Sequence, residues 1–211
     1  MGNDIYIVGT GGFAREVLFL LDDLGRFGDV KAFLEPASIW EERFKESEIM
    51  EKKVLPMSDY RPSKGQVIIG VADAKIRKLS TEQLPVGTDY LTVVHPSACV
   101  SRWCKIGEGS VITAGCIVTT QVDLGVHCHL NLGTTIGHDT KVKSFFTTAP
   151  AVNISGVCNI HESVYFGTGA ATRQGINICS DVTIGMGAMV VKDITEAGTY
   201  VGIPAKRIVP K

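Results

Sequence analysis

One apolar side chain recurs every six residues from Val100 to Val190. Of the sixteen positions in this series, fourteen are apolar, and the other two, Thr148 and Thr172, are β-branched. A helix repeats about every 3.6 residues and a strand every 2, so neither needs this register. A coil with three flat faces does, because each face of about six residues turns one side chain inward. The period therefore predicts an all-β left-handed parallel β-helix for the second half of the chain.

The six cysteines fit that coil better than a disulfide framework. Cys104, Cys116, Cys128 and Cys158 all stand two residues before a hexad aliphatic. Elsewhere that slot holds small or β-branched residues such as Ser110, Val122, Thr134, Val152 and Ala170. Cysteine there acts as a small hydrophobe. Cys104 and Cys158 would lie three coils, about 14 Å, apart, too far to bridge.

Ahead of the coil the pattern changes. Residues 4–8 read as a buried strand, Gly9 to Gly12 as a tight turn, and Phe13 to Leu24 as an amphipathic helix capped by Gly25. Val30–Leu34, Gln66–Val71 and Tyr90–Val94 read as further strands, and Asp73–Leu84 as a second helix. Residues 39–51 read as a charged loop or short helix. The order β-α-β-β-α-β predicts a small Rossmann-like parallel sheet. The boundaries read as residues 1–95, 96–194 and a tail of 195–211.

The formal net charge is −1, with no run of Lys or Arg, which argues against nucleic acid as a partner. No apolar stretch reaches the roughly 18 residues of a membrane span. The start, MGNDIYIVG, lacks the basic region and cleavage site of a signal peptide. The chain reads as soluble and cytoplasmic.

Gly9, Gly11 and Ala14 fit G-x-G-x-x-A between a strand and a helix, a pattern suited to an anion at a helix N-terminus. Glu35 closes the second strand, where it could reach a ribose or a base edge. A unit this small suits a mononucleotide carrier better than NAD, and a plain packing turn also fits the glycines.

Among the five histidines, His127 and His129 alternate on one strand face and read as surface or interface residues, and His161 as solvated. His138 stands two residues past an inward Ile136, so it points outward, and Asp139 follows it. A carboxylate beside an imidazole fixes its tautomer and raises its basicity, as a general base requires. Spacing alone leaves a plain surface histidine open.

Taken together these residues resemble the bacterial sugar acetyltransferases of the sialic-acid O-acetyltransferase and bacillosamine N-acetyltransferase group. The resemblance rests on Ile7-Val8-Gly9-Thr10-Gly11-Gly12, Phe33-Leu34-Glu35, Ile69-Gly70 through Ile76-Arg77-Lys78, His95-Pro96-Ser97-Ala98, Ile136-Gly137-His138-Asp139, Phe166-Gly167-Thr168-Gly169-Ala170 and Val201-Gly202-Ile203-Pro204-Ala205-Lys206. It implies an acetyl-CoA-dependent acyltransferase without a metal, assembled as a homotrimer with sites between adjacent chains. By position, acetyl-CoA would meet Thr147, Gly156, Thr168 and Met186. A nucleotide-linked amino sugar would meet Gly11, Gly12, Phe13, Glu35, Pro36 and Gly70, with Asn131 reaching it from the coil. His138 would act as base and Asp139 would hold it. Phe13 and Thr147 stand where some relatives carry histidines.

The resemblance favours N-acetylation of a 4-amino-4,6-dideoxy sugar for glycan biosynthesis. O-acetylation of a sialic-acid-type sugar, a non-catalytic nucleotide-sugar scaffold, and a zinc coil using His127, His129 and His138 are the rival expectations.

Overall fold

The computed structural model describes residues 4–208, so residues 209–211 of the expected tail lie outside it. Contacts divide the chain into two units, the first ending at Val93 and the second starting at Val94.

The first unit comprises β1 (Ile5–Val8), α1 (Gly12–Asp23), β2 (Val30–Glu35), α2 (Ala37–Arg43), β3 (Glu48–Ile49), β4 (Lys52–Pro56), β5 (Gln66–Ile69) and α3 (Ala74–Gln83). They build one sheet in the order β3-β4-β2-β1-β5. Its pairs are parallel except β3 with β4. The central strands β1 and β2 are apolar runs buried almost throughout, as expected of parallel strands covered on both faces. Helix α1 buries Ala14, Val17, Leu18, Leu20 and Leu21. Gly25 ends it with φ +69°, donating its N–H to Asp22 O at 2.7 Å. Asp73 caps α3, accepting from the N–H groups of Lys75 and Ile76 at 2.9 Å each.

The short helix expected within residues 39–51 is present as most of α2, while the β3–β4 hairpin and the course of residues 90–94 depart from expectation. Residues 39–51 also hold the β3 half of that hairpin. Strand β4 follows it where no strand was expected. Trp40 ties α2 down by donating its indole N–H to Val54 O at 2.8 Å. The expected strand over Tyr90–Val94 is no member of this sheet; Tyr90 alone forms a bridge, to Val67.

The second unit is the left-handed β-helix the hexad predicts. Its strands are mostly two residues long and stack into parallel sheets. On one face, Ile117–Val118, Thr135–Ile136 and Asn153–Ile154 pair in register, so a coil takes eighteen residues. Backbone bonds climb from coil to coil, as in Ile117 N–H to Thr134 O and Thr135 N–H to Val152 O, both 2.9 Å.

Two side chains per face fill the interior: the hexad residue and the one two places before it. Cys116, Cys128 and Cys158 are fully buried, whereas Cys104 is only half-buried. Phe146 and Ile176 occupy the same slot, which therefore admits large side chains too. The Phe146 ring meets Phe166 edge-on at 5.9 Å. Each fully buried aliphatic or aromatic side chain contributes roughly 1.5–3 kcal/mol. The two hexad threonines are satisfied: Thr148 Oγ1 accepts from Asn131 N–H at 2.9 Å, and Thr172 Oγ1 from Ser155 N–H at 3.0 Å.

His127 and His129 are buried, at 4% and 0% exposure, against the surface placement expected of them. His127 sits at a coil corner with φ +53°, not on a strand, so strand alternation does not govern it. Its ring stacks on Phe145 of the next coil at 5.3 Å and 14°. It also fills the space beside Gly109 of the coil below, where an added Cβ would lie 2.3 Å from His127 Nδ1. His161 is exposed.

The tail continues the stack. Gly198–Val201 runs parallel to Val182–Ile184, and Lys206–Ile208 returns antiparallel to it. Among the described residues no helix is long and apolar enough to cross a membrane.

Candidate active site

The coil corner after Thr135–Ile136 presents His138 to solvent. The backbone reverses there through Asp139, which adopts φ +58°. A non-glycine residue in this region costs about 1–2 kcal/mol, and aspartate is among the few that visit it routinely. The turn swings the Asp139 carboxylate back onto the preceding ring, so that His138 Nδ1 lies 2.7 Å from Asp139 Oδ2. Both side chains are about half exposed, at 51% and 49%. An ionised carboxylate only accepts, so Nδ1 must donate. The Nε2 lone pair is then left outward, the arrangement a general base needs.

The next coil fixes this corner from above. Val157 N–H donates to His138 O at 2.7 Å, and Asp139 N–H donates downward to Thr120 O at 3.1 Å. Gly137 permits the close approach, since a Cβ there would stand 2.4 Å from Gly156 N.

Of the residues the resemblance assigned to acetyl-CoA, Gly156 shares this corner. Thr168 and Met186 stand eighteen residues apart on the preceding corner, with the Ala171–Thr172 face between. Met186 is 80% exposed. Thr147 lies on a third strand face and is buried. One chain therefore does not bring these four together. Asn131 is half-buried; its Oδ1 accepts from Leu132 N–H at 2.7 Å, leaving its amide N–H donors outside that bond.

In the first unit the assigned positions do converge, at the C-terminal ends of three neighbouring strands. Gly11 is the N-cap of α1, with Gly12 and Phe13 in the first turn. Glu35 ends β2 and Pro36 caps α2. Gly70 follows β5, and a Cβ there would fall 2.7 Å from Ala14 Cα, so its absence lets α1 close onto the sheet. The N–H groups and positive potential at a helix start such as that of α1 suit an anion. Strand ends at such a crevice are where open α/β sheets bind ligands.

Two residues of the quoted motifs, Thr10 and Arg77, take a part that the sequence alone does not assign them. Thr10 Oγ1 donates to Glu35 Oε1 at 2.6 Å, orienting a carboxylate that is only 8% exposed. Arg77, fully buried, donates to Val71 O at 2.7 Å and Ala72 O at 2.9 Å and so pins the loop after Gly70. Neither has a signal in spacing, because both partners come from other elements. Among the described residues no cluster of three or more His, Cys, Asp or Glu could hold a metal ion.

Residues 4–84 match the family described as the PglD N-terminal domain. A GDP-perosamine N-acetyltransferase of Escherichia coli O157:H7 is 30% identical over 109 residues, covering 51% of this chain and 49% of that protein. A UDP-N-acetylbacillosamine N-acetyltransferase of Bacillus subtilis is 46% identical over 48 residues, 22% of each. The chain thus matches about half the length of the first relative and less of the second.

Solved structures match over nearly the whole chain. The acetyltransferase domain of PglB from Neisseria gonorrhoeae is 29% identical, with a TM-score of 0.89 over 98% of this chain and 100% of that one. It has also been solved in complex with acetyl coenzyme A. PerB from Caulobacter crescentus, in complex with CoA and GDP-perosamine, is 25% identical with a TM-score of 0.87, over 98% and 97%.

Proposed function

We propose that this chain, a homologue of the bacterial sugar N-acetyltransferases, transfers acetyl from acetyl-CoA to an amine. The acceptor is the 4-amino group of a nucleotide-linked 4-amino-4,6-dideoxy sugar, and the setting is cytoplasmic glycan biosynthesis. The observation that carries this reading is the outward His138 ring held at Nδ1 by Asp139 at 2.7 Å. It stands on a fold shared from end to end with such enzymes.

The chemistry is a direct transfer. The neutral amine attacks the thioester carbonyl, and a C–N bond forms as the C–S bond breaks. His138 Nε2 takes the amine proton, and that proton leaves with the CoA thiolate. Asp139 keeps the Nδ1–H tautomer throughout and offsets the imidazolium charge. The nucleotide lies on the first unit, with phosphate oxygens at the Gly11–Gly12 helix start and Glu35 accepting from ribose or base. Phe13, Pro36 and Gly70 line that crevice, and Asn131 is the coil's own polar contribution to sugar binding.

Thr147, Gly156, Thr168 and Met186 line the acetyl-CoA groove. Since a single chain parts these residues between corners and faces, we infer a homotrimer in which the groove lies between two coils. Sedimentation should give three times the 22.7 kDa chain mass.

The deciding experiment is thiol release from acetyl-CoA with a panel of nucleotide-linked 4-amino sugars and with sialic acid, His138→Ala beside the wild type. Turnover of one amino sugar, lowered about 10²–10⁴-fold in the variant, is expected. Turnover of hydroxyl acceptors alone would reassign the enzyme to O-acetylation. Tight nucleotide-sugar binding without any turnover would make the chain a scaffold.

A further inference from the structure

Most glycines of the coil interior serve its backbone. A Cβ added at Gly107, Gly125, Gly137 or Gly167 would fall 2.4–2.6 Å from main-chain atoms of the neighbouring coil. Gly156 is different. The nearest atoms to its missing Cβ all belong to the His138 ring: Nε2 at 2.8 Å, Cδ2 and Cε1 at 3.0 Å.

The column explains the contact. With eighteen residues per coil, position 156 lies directly above position 138 on the same corner. The closure permitted at Gly137 brings the upper coil down, so the ring lies against bare main chain. A Cβ there would sit nearest Nε2 and equally far from the two ring carbons flanking it. With both flanking carbons only 0.2 Å farther than Nε2, it would stand over the face of the ring beside Nε2 and not in the ring plane along the lone pair. Ordinary carbon contacts begin at about 3.5 Å, so the ring would have to move off the coil.

That movement spoils the base: a ring turned away from the added methyl loses the 2.7 Å bond to Asp139 and with it the fixed tautomer. Gly156 is not among the residues with positive φ, so its backbone suits alanine. The effect of a methyl group therefore falls on the ring and not on the coil.

We propose that Gly156 is a positioning residue for His138: the absence of a side chain there gives the face of the ring room against the coil and lets the Asp139 bond persist. This rests on the acetyltransferase reading and adds to the acetyl-CoA role expected of the same glycine.

The test is Gly156→Ala in the full chain, with selectively labelled histidine. The unfolding midpoint should match wild type. The ring resonances of His138, assigned by their loss in His138→Ala, should move, while those of His95, His127, His129 and His161 stay. With the acceptor identified, kcat should fall on the order of 100-fold with both KM values nearly unchanged. In the His138→Ala background the same substitution should change nothing further.

Unmoved His138 resonances in Gly156→Ala would overturn the proposal, whatever the kinetics. A rise confined to the KM for acetyl-CoA, with those resonances in place, would also overturn it and leave Gly156 a cofactor contact alone. If no acceptor is ever turned over, the acetyltransferase reading fails, yet the resonances still decide the geometry.

Discussion

Asp139 does its work from a left-handed backbone, and its replacement separates geometry from charge. Asparagine tolerates the same turn but can donate from its amide to Nδ1, which moves the ring proton to Nε2 and removes the base proposed there. Asp139→Asn should therefore lower kcat about 10²-fold or more with unfolding little changed, measured by steady-state kinetics beside a melting curve. The cysteines give a second residue-scale prediction. Burial pushes the Cys116 thiol above its ordinary value, so it stays protonated near neutral pH. Iodoacetamide on the native protein should label exposed Cys99 first and spare Cys116, Cys128 and Cys158, read by peptide mass spectrometry. At this scale the sequence is legible where partners are neighbours: His138 and Asp139 are adjacent, and the hexad turns both outward. Thr10 and Glu35 are 25 positions apart and meet only because β1 and β2 pair in parallel. His127 was misread because alternation holds on strands, and this residue is a corner.

Among the elements, the coil was the most legible, since one inward side chain per face has to repeat whatever else varies. The slot two places earlier is less uniform, and Phe146 shows why it matters. Phe146→Ala should cost roughly 3–5 kcal/mol in denaturant unfolding, because a fully buried ring leaves a cavity between rigid coils. Gly137→Ala should do worse, since the added methyl meets main chain, and loss of soluble folded protein is the expected outcome. At the outer face, Asn159 donates to Asn177, and Asn177 gives both its backbone and side-chain N–H groups to Asp193 at 2.9 and 3.1 Å. These bonds hold the Asp193 carboxyl below its ordinary value. Its contribution is therefore complete above the unfolded value and is lost as pH falls through the lowered folded one. Hydrogen exchange around residues 177–194 should accelerate only under that acidity, and Asp193→Asn should abolish the dependence. The β3–β4 hairpin escaped notice because an edge strand needs little apolar sequence: β4 carries only Val54 as a fully buried residue.

On the scale of the molecule, each unit has its own apolar packing, one cluster strung along the coil and one joining a face of the sheet to Met57, Tyr60 and Leu84. The eighteen-residue coil also sets an arithmetic for how this protein can lengthen. A segment of eighteen residues spliced between Val190 and the tail adds one full storey and returns every later column to its own corner. A segment of six turns everything above it by a third of a revolution. Placed between Val142 and Thr147, six residues would leave Gly156 over the wrong corner and His138 beneath a stranger; eighteen would restore the orientation but lift Gly156 out of reach. Lineages of such coils should therefore vary freely in height above the working corner, in whole storeys, and hardly at all in the one storey that joins His138 to the glycine that shelters it.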